Sequence, residues 1–186
     1  MLIDKIVQVH TRQEWRKWLS DYHSTEDYCW LISTDHHSVG YLDFVEEALC
    51  YGWIDSTRKK VDDTQTAQRF SPRKKRSNWS ELNKERVRRL DKLGFMTEAG
   101  NKVLPDMNAE SFIIHDDILA LLRQDEVLFH NFQALPELYV RVKIDNIQSV
   151  KNDATLYHNR LTKFIEHTRI NKMYGQWNDN GRLLGY

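Results

Sequence analysis

The sequence is poor in the residues that mark several protein classes. Its 186 residues include only two cysteines, three prolines and seven glycines. So little glycine and proline excludes collagen-like and low-complexity chains, and two cysteines exclude a disulfide scaffold. With no third or fourth cysteine, a thiolate zinc site is not expected. No apolar run approaches the roughly 20 residues that cross a bilayer. Residues 1–10 lack the apolar core and small-residue cleavage site of a secretory leader, so the expected setting is the cytosol. A Gly-rich phosphate loop, a Walker lysine, a zinc-peptidase motif and a nucleophile elbow are also missing. Nothing in the residues implies a cofactor.

What is present is a globular composition, 40% apolar and 11% aromatic, long enough for a real core. Cys29 lies in an apolar strand-like run and Cys50 ends an apolar helical pattern, so both are expected to be buried and reduced. The formal net charge is zero, but its layout is uneven. Residues 1–56 carry 4 basic and 10 acidic side chains, residues 57–92 carry 13 and 5, and residues 93–186 carry 10 and 12. A basic middle between acidic flanks suits a surface for anionic partners, or internal pairing with the acidic N-terminal part.

Thr11-Arg-Gln-Glu14 reads as a capping box, followed by Trp15, Trp18, Leu19 and Tyr22 on one helical face. Residues 28–33 read as a buried strand. Residues 41–50 read as a helix with Leu42, Val45 and Leu49 inward and Glu46 and Glu47 outward as solubilising groups, ended by Gly52. Residues 53–61 and 64–70 predict a hairpin, stopped at Ser71-Pro72. A third helix covers about 80–93, capped by Asn78 or Ser80 and stopped by Gly94, and Lys84, Arg88 and Lys92 form a basic stripe on it. Thr97 can cap a short helix before Pro105. From about residue 111 the pattern is helical: residues 116–123 and 125–132 read as short helices with acidic residues in their first turns, Pro136 can open the next helix as its first residue, and Asp153 can cap the last. The tail from Met173 to Gly181 is broken by Gly and Asn and is expected to lie on the surface. Tyr174 and Trp177 there would supply the apolar patch of an interaction protein.

Two stretches carry the candidate chemistry: Gly52-Trp-Ile-Asp-Ser56, and Arg69-Phe-Ser-Pro-Arg-Lys-Lys-Arg76 running into Ser77-Asn-Trp-Ser80. A carboxylate just after a buried Gly-Trp-Ile run needs a cation or several donors. Arg69 on the return strand can meet Asp55 as an internal brace. Alternatively Trp53, Asp55, Arg69, Arg73 and Trp79 surround an anion-recognising cleft, with arginines forking the anion and a tryptophan stacking a ring. A third reading is nucleic-acid binding through Lys74, Lys75, Arg76, Lys84 and Arg88, interleaved with Phe70 and Trp79. A fourth is an enzyme using Asp55, with Tyr41 as a possible donor. No nucleophile–base pair identifies a reaction. His36-His37 lacks a third ligand fixed by spacing, so no metal site is expected.

At these residues the chain resembles the bacterial YdeI/OmpD-associated family, also labelled OmdA-like or bacteriocin-protection proteins. The resemblance rests on Val45–Ser56, Gln68–Ser80, Asn83–Val87 and Gly94–Gly100, and on a helical region from Phe132 to about Thr168 opened by Leu135-Pro136. Ser71 stands where the family commonly has Thr, which keeps the hydroxyl. The resemblance implies a small bacterial cytosolic protein linked to porin expression or resistance to antimicrobial peptides. It supplies no reaction, cofactor or catalytic residue. The expected fold is α+β: a small antiparallel sheet flanked by helices over residues 1–108, then a C-terminal helical subdomain over 109–186. The expected partner is a small anionic ligand.

Overall fold

The computed structural model describes residues 2–33, 40–63, 65–74 and 77–186, with Ser33 described in backbone only. His36, His37, Lys75 and Arg76 lie outside the described residues. The chain forms two compact units, Met1–Asn78 with Arg86–Pro105, and Trp79–Glu85 with Asp106–Tyr186. The boundary passes through one helix, so residues 79–85 group with the C-terminal helices.

The first unit is an α+β layer. Its strands are β1 (Ile6–Val9), β2 (Cys29–Ser33), β3 (Trp53–Lys60) and β4 (Thr66–Pro72), in the order β1-β2-β4-β3. The expected hairpin of β3 and β4 forms, and β4 pairs antiparallel with β2. The sheet is nevertheless mixed, because β1, a four-residue run not assigned from the sequence, adds in parallel to β2. Helix α1 (Arg12–Tyr22) begins at Thr11, whose hydroxyl accepts from the Glu14 amide at 3.1 Å. It and α2 (Tyr41–Cys50) cover one sheet face. There Trp15, Leu19, Phe44, Ala48, Trp53 and Phe70 form the core, and the buried Trp15 indole donates to the Phe44 carbonyl at 3.0 Å.

Helix α2 departs from its expected polarity. Glu46 and Glu47 are buried, at 1% and 3% exposure. Arg12 reaches Glu47 at 2.5 Å, Glu46 at 2.8 Å and Asp43 at 3.0 Å. Arg16 meets Glu47 at 2.6 Å, and Arg89, on the part of α3 (Glu81–Lys92) that belongs to this unit, meets Glu46 at 3.0 Å. Pattern reading sends adjacent glutamates outward by default. Three arginines overturn that by giving each buried oxygen a charged donor.

Two glycines set how closely the short helix α4 (Glu98–Asn101) approaches α2. A Cβ on Gly100 would sit 2.3 Å from the Cys50 carbonyl oxygen, and one on Gly52 would sit 2.9 Å from a Val103 methyl. Gly52 also has φ of +73°, as expected of a residue just past a helix end. The Thr97 hydroxyl caps α4 and donates to the Cys50 carbonyl at 2.6 Å. Cys50 and Cys29 are both buried and free, and burial raises each thiol to about 12.

The second unit is helical: α5 (Asp116–Leu122), α6 (Glu126–Gln133), α7 (Glu137–Gln148) and α8 (Ala154–Arg169), with a 3-10 turn at Ala109–Ser111. Asp153 caps α8 as expected, accepting from Leu156 at 3.0 Å, whereas Asp125, expected within the first turn of α6, stands before it as the cap and accepts from Leu128 at 3.0 Å. Pro136 stands at the cap of α7 rather than inside its first turn. Tyr139, Ile144, Ile147, Leu161 and Phe164 centre the core. Residues 79–85 join this unit because Arg141 binds both Glu81 and Glu85 at 3.0 Å and Leu82 packs on Leu138, Val142 and Leu183. The tail from Met173 to Gly181 runs mostly exposed but is anchored: Trp177 sits edge-on to Tyr139 at 5.5 Å, and beyond the stretch Leu183 is buried. The tail's Gly and Asn residues turn the chain, with Tyr174, Trp177 and Leu183 packed against the helices while Met173 and Leu184 stay exposed. Tyr174 and Trp177 are half-buried against the helices and do not form an open patch.

Replacing Glu46 by Ala leaves Arg12 and Arg89 short of a buried partner, and is expected to cost about 3–5 kcal/mol in urea unfolding. Lys5→Ala, which breaks exposed pairs with Glu26 and Asp27, should leave the urea midpoint where it is. Gly100→Ala should cost about 1–3 kcal/mol by overpacking against the Cys50 carbonyl. An unchanged melting temperature for Gly100→Ala would show that α4 can move away freely.

Candidate functional site

Where α2 ends, the chain opens a cleft of about 530 Å³ in the first unit. Gly52 turns the chain into β3, and the Arg73 amide, just past β4, donates back to the Gly52 carbonyl at 2.8 Å. That hydrogen bond fixes the start of the Arg73 side chain at the cleft wall. The lining includes Ser20, His23, Tyr51, Arg73, Thr97 and Lys102. Lys102 pairs with Glu98 at 2.7 Å, and both side chains are exposed. Such a pair is weak and readily exchanged for another anion.

Arg73 is only 7% exposed. Burial pulls its guanidinium down to about 10, opposed by the nearby Asp55 charge. It therefore stays protonated at neutral pH, as a cation held in a poorly solvated wall. Its Nη1 donates to the Asn78 carbonyl at 3.3 Å.

The five residues of the expected cleft divide. Trp53 and Arg73 both line it. Trp53 is 1% exposed, sits edge-on to Trp18 at 5.6 Å and donates its indole N–H to the His23 carbonyl at 3.1 Å. It forms the rear wall and has no open face on which a ring could stack. Asp55 lies on the helix-covered sheet face and accepts a short hydrogen bond from the Tyr41 hydroxyl. Tyr41, the donor expected from the sequence, has its hydroxyl pushed above the usual tyrosine range, by burial first and then by Asp55. Arg86 and Arg58 oppose that rise.

A β-bulge places Arg58 there. Asp55 pairs with Phe70, and the next registered pair is Arg58 with Gln68. The extra residue in β3 reverses the alternation, so Arg58 emerges on the Asp55 face. The Gln68 amide donates to the Ser56 and Thr57 carbonyls at 3.2 and 3.4 Å, which satisfies the bulged backbone.

Arg69 does not meet Asp55. It pairs with Trp30 across β2 and faces the opposite side of the sheet, with its guanidinium 4.4 Å from the Tyr28 ring centroid. Adjacent residues on a strand point to opposite faces, so once Phe70 pairs with Asp55, Arg69 must face away. The brace read from the sequence is replaced by Tyr41–Asp55 on one face and Tyr28–Arg69 on the other. Trp79 is half-buried and groups with the second unit. Lys74 is exposed, Lys84 is bound to Glu81 at 2.8 Å, and Arg88 is half-buried.

Pattern reading passes over His23, Tyr51, Thr97 and Lys102. Two of these had a signal: Tyr51 and Thr97 lie inside the stretches that carry the family resemblance. His23 and Lys102 carry no signal and reach the cleft through the fold. Among the described residues, no group of three or more His, Cys, Asp and Glu side chains converges on one point, and no helix is long and apolar enough to cross a membrane.

Two family models match the chain. Residues 7–103 match a domain of unknown function, DUF8412, and residues 111–171 match the model described as bacteriocin-protection, YdeI or OmpD-associated. No curated protein and no solved structure gives a match. The first match covers just over half of the chain and falls on the sheet and its helices, and the second falls on the helical unit, so the chain belongs to the DUF8412 family and carries a bacteriocin-protection, YdeI or OmpD-associated (OmdA) region after that domain.

Proposed function

We propose that this chain is a bacterial cytosolic protein whose first unit binds a small anionic ligand in the cleft beside Gly52, in a stress response of the kind the family description names, protection against bacteriocins. The observation that supports the reading is Arg73: a guanidinium held at low exposure in the wall of an open cleft. Burial disfavours its charge, so an anion brought to it regains in binding what desolvation cost. Lys102 and His23 stand on the same lining, and Thr97 and Ser20 add hydroxyls. The ligand class is a phosphorylated or carboxylated metabolite small enough for about 530 Å³. Asp55 acts on the site through Arg73, whose charge it favours. Arg69 and Trp79 have no part in it.

Calorimetric titration with inorganic phosphate and a nucleoside monophosphate, at 50 and 200 mM salt (values of the kind that separate compact-ligand from polyanion binding), tests the reading. Saturable binding with little salt dependence is expected. Lys102→Glu should weaken it by about tenfold, or 1.4 kcal/mol. Arg73→Lys should weaken it too, because an ammonium cannot fork an anion. Wild-type affinity in both variants would overturn the cleft. If oligonucleotides alone bind, with affinity falling steeply in salt, the basic strip over 58–92 with Lys74, Lys84 and Arg88 takes its place.

A further inference from the structure

The second unit holds a lysine in unusual surroundings. Lys143, on α7, is 9% exposed. Its amine lies 4.4 Å from the Tyr174 ring centroid and 5.6 Å from that of Tyr139, with no carboxylate or carbonyl partner among the described residues. Lys163 from α8 lies over the same Tyr174 ring at 5.1 Å. A Cβ on Gly175 would come within 3.0 Å of the Lys143 amine, so the glycine makes room for it. The next residue, Gln176, borders a cavity of about 190 Å³ that Lys143 also lines, with Ser80, Leu82, Val142, Asp145 and Asn146.

We propose that Lys143 is a nucleophilic amine that captures a small aldehyde or ketone in this cavity as an imine. The cavity has room for a molecule of about six heavy atoms, slightly more than the space that holds benzene in an engineered protein core. Ser80, Asn146 and Gln176 offer hydroxyl and amide donors for a carbonyl oxygen, and Leu82 and Val142 take an apolar substituent. The neutral amine adds to the carbonyl carbon as the C–O π bond breaks. One nitrogen proton passes to the oxygen to give the carbinolamine, which then loses its hydroxyl with the remaining nitrogen proton as water, leaving the C=N bond. Nothing is oxidised or reduced.

The surroundings favour the neutral amine that this step needs. Burial first, and the like charge of Lys163 second, bring Lys143 down from the usual lysine range to about 8. The tyrosine rings favour the cation and limit the fall. Asp145, which borders the cavity, is itself held above the usual carboxylate range by burial and accepts from the Glu81 amide at 3.0 Å. His167 also faces the Tyr174 ring, with centroids 4.5 Å apart. An amine desolvated beside a second cation is the arrangement that activates lysine for imine formation.

The test treats the folded chain with propionaldehyde and cyanoborohydride, which reduces an imine to a stable secondary amine. Site occupancy is then read by peptide mass spectrometry, with the chain's exposed lysines as internal controls. At pH 7, Lys143 is expected to label about tenfold faster than exposed lysines, because far more of it is unprotonated. The advantage should shrink as the pH approaches 10. Lys163→Gln should reduce labelling at pH 7 by raising the Lys143 proton affinity. Labelling of Lys143 no faster than exposed lysines, or only after unfolding in urea, would overturn the proposal and leave the residue as a packed cation. The readout needs no Lys143 variant to fold, and it is independent of anion binding in the first unit.

Discussion

The first unit depends on how two buried glutamates are neutralised. Glu46 and Glu47 are adjacent on α2 and face inward. Burying two carboxylates costs several kcal/mol each unless their oxygens are paired. Arg12 and Arg16 from α1 and Arg89 from α3 supply those pairs. Because the partners come from two other helices, the requirement to pair also fixes where those helices sit against α2. The end of α2 is thereby placed, and with it the Gly52 turn, the start of β3 and the cleft that Arg73 borders. The second unit uses the same device once more, with Arg141 between Glu81 and Glu85, and this draws residues 79–85 to the C-terminal helices.

This pairing changes the meaning of the charge layout. The basic middle of the chain looks like a ladder for a polyanion. Part of it is internal instead: Arg89 serves Glu46, and Lys84 serves Glu81. A count of charges along a sequence cannot separate a neutralised cation from an available one, because the difference lies in which helices meet. Arg73 shows the converse. In sequence it is one of four consecutive basic residues; in the fold it alone of the described members turns into the wall of the cleft.

Local signals were legible wherever the chemistry was local. The caps at Thr11 and Asp153 satisfy amides three residues away, so spacing alone located them. The β3–β4 hairpin followed from its run and turn residues. Strand β1 was not read from the sequence although Ile6, Val7 and Val9 are β-branched, because four residues are too short a run to decide without the edge that β2 offers them. Tyr41 was recognised as a donor near Asp55, whereas the Asp55–Arg69 pair failed on register. A one-residue difference in pairing sends a side chain through the sheet, and the bulge between Asp55 and Arg58 has no sequence mark.

By itself, the sequence determined the α+β class, the helix starts, the hairpin and the family, because these rest on spacing, turn residues and long shared motifs. It also singled out Trp53 and Arg73. Only the tertiary structure decided that the α2 glutamates turn inward, that Trp53 is a wall without a stacking face, that Arg69 faces the sheet side opposite Asp55, and that Lys143 lies among tyrosines. Each of these depends on what a neighbouring element places opposite a side chain. Burial and partner choice are properties of pairs of elements, and no single stretch of sequence contains both members of the pair.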